Sequence, residues 1–78
     1  MVDDNMIYDG SWYDFFDSSN IYRFRYEIDT GRLYVDFLHS SYVYYGVDED
    51  TVRGWIKAGS KGRYHARNIK FSFDYDKV

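Results

Sequence analysis

The chain has 78 residues, ten basic against thirteen acidic, a net charge of −3, and neither Cys nor Pro. That length makes one domain near the lower limit for a self-sufficient core, and the missing Cys excludes disulfides and thiolate metal sites. Two Trp, ten Tyr and six Phe must then supply the packing, each ring burying roughly 150–250 Å².

No apolar run approaches the roughly 20 residues that span a bilayer. The N-terminus MVDDNMIYDG is acidic where a signal peptide would be basic and then apolar. A cytoplasmic protein with no membrane partner is expected. Charge divides the chain: residues 1–19 carry five Asp and no base, whereas residues 20–78 carry all ten bases against eight acids. This marks residues 1–17 as an acidic aromatic arm and 18–78 as the domain body.

In the arm, residues 6–8 are suited to a short strand, and Ser11 to capping a helical turn through residue 16. So many large apolar groups are expected to pack on something: an edge or face of the sheet first, with a separate partner or mimicry of a nucleic acid's charge as the alternatives. Residues 21–28 alternate as a strand, with Tyr22, Phe24, Tyr26 and Ile28 on one face and Arg23, Arg25 and Glu27 on the other. Asp29-Thr30-Gly31-Arg32 reads as a hairpin turn with Gly31 left-handed. Leu33, Val35 and Phe37 mark the returning strand, and residues 39–41 a second tight turn. Residues 42–47 form a third strand, with Tyr42 and Tyr44 on one face.

Asp48 is the expected N-cap of a helix, with Glu49 and Asp50 at the positive end of its dipole. Val52, Trp55, Ile56 and Gly59 form its buried stripe, and Gly59 is also its expected C′ residue. Gly54 costs this helix about 1 kcal/mol relative to Ala, which a close approach to the sheet beneath Trp55 would explain. Ser60 to Asn68, SKGRYHARN, reads as a loop, and Phe71, Phe73 and Tyr75 as one face of a last strand. Strands grouped before a single helix predict an α+β fold: a small antiparallel sheet, a meander plus a C-terminal strand, packed by one short helix.

From Thr51 to Phe73 there is no Asp or Glu, yet the interval holds Arg53, Lys57, Lys61, Arg63, Arg67 and Lys70. Such segregation points to an anionic partner or to a solvated basic face. Lys and Arg can neutralise phosphates, while Tyr64 and His65 offer flat faces for bases. Tyr42 and Tyr44 are either stacking platforms or core under the helix, with core expected for at least one. The candidate nucleic-acid contacts are therefore Tyr42, Tyr44, Lys57, Lys61, Gly62, Arg63, Tyr64, His65, Arg67 and Lys70. His39 and His65 stand 26 positions apart with no metal-ligand spacing, and both read as surface or loop residues. No cofactor is implied. With no nucleophile–base set or phosphate-loop motif, an enzyme is not expected.

Ser18-Ser19-Asn20-Ile21, Tyr42-Val43-Tyr44, the helix start at Val47 and Ser60-Lys61-Gly62-Arg63-Tyr64 with Ile69 resemble the KTSC domain over about residues 18–75. That family takes its name from a segment at the C-terminus of some lysyl-tRNA synthetases and also occurs as a small stand-alone bacterial protein. The resemblance implies Tyr42, Tyr44, Lys61, Gly62, Arg63 and Tyr64 as site residues, and by association it implies RNA. Asp48 stands where members often have Pro, and Tyr64-His65-Ala66 where they often read Tyr-Phe-Asn, so no role transfers to Ala66.

Two functions follow. One is a non-catalytic module contacting nucleic acid, RNA favoured, through the basic Gly/Tyr segment and the tyrosine-rich sheet. The other is a protein–protein adaptor or inhibitor, of phage type, working through residues 1–17. Strand edges permit either a monomer or a homodimer.

Overall fold

The computed structural model describes residues 9–15 and 20–78; the strand expected at 6–8 lies outside them. The chain forms five strands: β1 (Asp9–Asp14), β2 (Ile21–Glu27), β3 (Arg32–Phe37), β4 (Ser41–Tyr44) and β5 (Tyr75–Lys77). They lie in that order in one sheet, and every neighbouring pair is antiparallel. Two helices, α1 (Glu49–Lys57) and α2 (Lys61–Asn68), interrupt the meander between β4 and β5. The fold is α+β, with two helices rather than the single one expected.

The arm's described residues belong to the sheet. Ser11 lies within β1, not at the cap of a helical turn, and β1 forms the sheet edge against β2. Phe15, just beyond it, is buried with its ring 4.9 Å from Trp55 and 5.3 Å from Phe24.

β2 departs from simple alternation. A register irregularity between Ile21 and Arg23 turns Ile21, Phe24 and Tyr26 into the core and leaves Tyr22 exposed. Ile28 falls in the turn and is also exposed. Gly31 takes the expected left-handed conformation, φ 73°. A Cβ there would crowd the backbone of Gly46, and the Gly31 carbonyl accepts from the Val47 N–H at 2.9 Å. Tyr26 fixes the same spot, its hydroxyl donating to the Val47 carbonyl at 2.6 Å. The segment leading into α1 is thereby pinned to the β2–β3 turn, and β4 ends at Tyr44 instead of running on to Val47.

The helices cover one sheet face. Val52 and Trp55 of α1 and Ile69 after α2 join Phe24, Tyr26, Leu33, Val35 and Tyr44 in one buried cluster. The opposite face is held by stacked charge. The Arg23 guanidinium lies 3.9 Å from the Trp12 ring centre, and that of Arg25 lies 4.3 Å from Tyr34 and 5.5 Å from Trp12. Such stacks contribute about 0.5–1 kcal/mol where exposed, and here they tie β1 to β2 and β3. Arg23 also donates to Asp36 at 2.8 Å, and Asp36 accepts from the Ser41 hydroxyl at 2.7 Å.

The last strand begins later than alternation suggests. Residues after Ile69 turn, with the Ser72 N–H donating to the Ile69 carbonyl. Phe71 is 85% exposed, and β5 occupies Tyr75–Lys77.

Trp55 is fully buried at the junction of both helices and the sheet. Replacing Trp55 by Ala is expected to cost about 3–5 kcal/mol, most of what a domain of this size has. Chemical denaturation of that variant measures it.

Candidate nucleic-acid interface

Asp48 caps α1 as its sequence demands, accepting from the Thr51 N–H at 3.3 Å and the Thr51 hydroxyl at 2.6 Å. The other end differs from expectation. Ala58 is the C-cap in an extended conformation, Gly59 has no positive φ, and the Lys61 ammonium donates to the carbonyls of Ile56 and Ala58 at 2.9 and 2.6 Å. Lys61 therefore satisfies carbonyls that a helix end leaves orphaned, and its charge sits where the dipole favours a cation.

Residues 61–68 are a helix, where a loop is expected. Ser60 caps it by accepting from the Arg63 N–H at 3.3 Å, and the Trp55 indole N–H donates to the Lys61 carbonyl at 3.0 Å. His65 and Ile69, four apart and both buried, form the whole apolar stripe. Tyr64 is wedged against α1, its hydroxyl donating to the Thr51 carbonyl at 2.9 Å. A Cβ on Gly54 would collide with that hydroxyl and crowd the ring. Gly54 thus makes room for Tyr64 of α2, not for the sheet.

This packing sorts the candidate residues. Lys61 and Tyr64 join α2 to α1. Gly62, Arg63, Ala66 and Arg67 face solvent along α2, followed by exposed Lys70, and Lys57 is exposed at the end of α1. Among the described residues, Lys57, Arg63, Arg67 and Lys70 pair with no carboxylate. Arg53, by contrast, bonds Glu49 at 2.7 Å. Arg63, Tyr64 and Arg67 also border a shallow depression of about 250 Å³.

Tyr42 and Tyr44 lie on the helix-covered face, so they are not an open platform. Tyr44 is core at 3% exposed, and Tyr42 is half-buried. Together with Phe37, Tyr75, His65 and Lys70 they line a cavity of about 360 Å³ between the sheet and α2. Phe37 and Tyr75 carry no motif that sequence reasoning could use, since only the fold brings them to His65. His65 itself is buried, not a loop residue. Its Nε2 lies 2.9 Å from the Tyr44 hydroxyl, and its ring stacks edge-on against Phe37 at 5.0 Å.

Burial pushes the Tyr44 phenol up to about 12, helped by Tyr42 and Tyr75. Burial pushes the His65 imidazole down to about 4, helped by the Lys70 charge. At neutral pH the pair is uncharged on both sides. A general base works best with its pKa near the operating pH, so this pair suits hydrogen bonding better than proton transfer. Among the described residues, no cluster of three or more His, Asp or Glu is placed to hold a metal ion, and no helix is long and apolar enough to cross a membrane.

This two-helix α+β fold has a counterpart among solved structures. The crystal structure of a KTSC domain protein from Yersinia pestis superimposes with a TM-score of 0.81, at 30% identity over 87% of this chain and 96% of that one. The KTSC domain family model matches residues 17–73. The chain belongs to the KTSC domain family, a small domain of unknown function and no known catalytic class. No curated protein matches it.

The two helical glycines are expected to respond with opposite signs. At Gly62 a Cβ meets nothing, so Gly62→Ala gains up to about 1 kcal/mol of helix propensity. At Gly54 the same gain is outweighed by overpacking of about 1–3 kcal/mol, so Gly54→Ala lowers the melting temperature while Gly62→Ala raises it.

His65 sets a pH window. The unfolded chain protonates it near 6.5 and the folded chain near 4, so between these values the unfolded state holds more protons. Its contribution is complete above pH 6.5 and is lost as pH falls toward 4, a change of up to about 3 kcal/mol. The Asp48 carboxyl, lowered by the Thr51 hydroxyl, acts only below this range. Denaturation from pH 4 to 7 should show the slope in the native chain and a flatter profile in His65→Gln.

Proposed function

We propose that this domain is a non-catalytic module that binds single-stranded nucleic acid, RNA in preference, along the outer face of α2. The observation that carries the reading is the set of four exposed cations, Lys57, Arg63, Arg67 and Lys70, that pair with no carboxylate among the described residues. They lie in an interval with no Asp or Glu, while the chain as a whole carries −3. Lys57 and Arg67 also suit the last turns of α1 and α2, whereas Arg63 and Lys70 have no such place, and phosphate groups account for all four. The KTSC association with a tRNA synthetase favours RNA over DNA.

Arg63 and Arg67, four residues apart, present one row of guanidinium groups. Lys70 lines the cavity beside α2, and exposed Phe71 lies with its ring 5.3 Å from the Lys70 ammonium. Phosphates on the cations and a base against the aromatic rings is the usual division of labour in single-strand binders. Lys61 is left out of the contact set, because its ammonium closes α1.

Binding of short single-stranded RNA at several salt concentrations tests this. With three to four phosphates neutralised, log K falls against log salt with a slope of about −2 to −3, at roughly −0.7 per phosphate. Arg63→Ala with Arg67→Ala is expected to weaken all sequences alike, since phosphate contacts carry no base information, and to flatten the slope by about 1.4. Lys61→Ala should instead lower the melting temperature and leave the slope unchanged. No binding to RNA or DNA at low salt would overturn the reading.

A further inference from the structure

We infer that the cavity between β3, β4, β5 and α2 takes one unstacked nucleobase, with the adjoining phosphate held at its mouth by Lys70. This rests on the strand-binding reading above and adds a base-contacting site to it.

The chemistry of the lining points to a flat, neutral group with an anion attached. Phe37, Tyr42, Tyr44 and Tyr75 supply aromatic walls on which a base can stack. None of the lining residues is Asp or Glu, while His39 and Lys70 supply basic groups, so an attached phosphate meets no like charge. The volume, about 360 Å³, sits at the low end of the roughly 300–1,000 Å³ usual for small-molecule sites. It suits one planar group better than a stacked run.

The buried polar residues are placed for a base edge. Tyr44 and His65 are 3% and 6% exposed, and they bond each other through the phenol and Nε2. Both residues line the cavity, so the edge of an entering base meets this polar pair. Because the pair is neutral at pH 7, this contact costs no charge burial.

Gly62 gives an independent indication. It lies within α2, has no positive φ, and lines the cavity, yet a Cβ there would meet nothing. Unlike Gly54, it has no packing partner to make room for. A side chain at Gly62 would therefore stand in open space beside the cavity it lines.

The test is an NMR titration of the full chain with AMP and UMP, and with ribose 5-phosphate, which has the phosphate but no base. Saturable shifts at His65, Ala66 and Lys70 with a Kd of about 1 mM are expected for a mononucleotide, and ribose 5-phosphate should bind at least about tenfold more weakly through loss of stacking. Gly62→Leu, which plugs the mouth, should weaken AMP binding about tenfold while Gly62→Ala folds as a control; Ala66→Phe is a second plug from the next helical turn.

Shifts that do not saturate, equal affinity for ribose 5-phosphate, or unchanged AMP binding by both plugged variants would overturn the base site. If single-stranded RNA still binds in that case, the α2 reading stands without it. If AMP binds as expected but single-stranded RNA binds no tighter, the base site stands and the strand reading falls.

Discussion

A buried indole N–H must find an acceptor, and in this chain the acceptor decides where the second helix goes. Trp55 is fully buried, and its N–H donates to the carbonyl of Lys61, the first residue of α2. Its ring meets Phe15 and Phe24 on the sheet side and His65 on the other at 5.8 Å. One side chain thus sets α2 relative to α1 and the sheet, and places His65 beside Tyr44. Lys61 reinforces the junction by closing the carbonyl end of α1, and Tyr64 bridges back to Thr51 across Gly54. The cavity is the space left where α2, held in this way, does not reach the β4–β5 end of the sheet.

Charge divides between structure and surface along the same lines. Arg23 and Arg25 are stacked on Trp12 and Tyr34, Arg53 is bonded to Glu49, and Lys61 serves as a helix cap. What remains on α2 and its flanks is Arg63, Arg67, Lys57 and Lys70, solvent-facing and acid-free. Exposed charges contribute little to folding, about 0–1 kcal/mol even when paired. The proposed nucleic-acid contact rests on these cations. The neutral Tyr44–His65 pair beneath it is the converse, a polar feature that burial keeps uncharged.

How much of this the sequence revealed depends on whether a feature is local. β2, β3 and the start of α1 are legible because alternation and an Asp cap are written in consecutive residues. Gly31 is legible because only a left-handed position in a hairpin asks for it. The irregularity in β2 is not: it arises between two strands, and no Gly or Pro marks it. α2 escapes because its buried stripe is only His65 and Ile69, too short for a helical period, and Gly62 reads as a loop signal. The available signal was Ser60 as an N-cap with those two residues four apart. The role of Lys61 hides for a related reason, since Lys57 already satisfies the rule for cations at a helix end. The cavity could not be read at all, because Tyr44 and His65 meet across 21 positions and Phe37 and Tyr75 join them only once the sheet has formed.

The central claim is that α2 and the cavity mouth form the nucleic-acid face of this KTSC domain. Amide shift mapping of the labelled chain with single-stranded RNA at low salt tests it most directly. The account predicts perturbations concentrated at Gly62, Arg63, Ala66, Arg67 and Lys70, with Arg25, Tyr34 and Val43 on the opposite sheet face unmoved. Perturbations centred on that opposite face, or none at all, would contradict it.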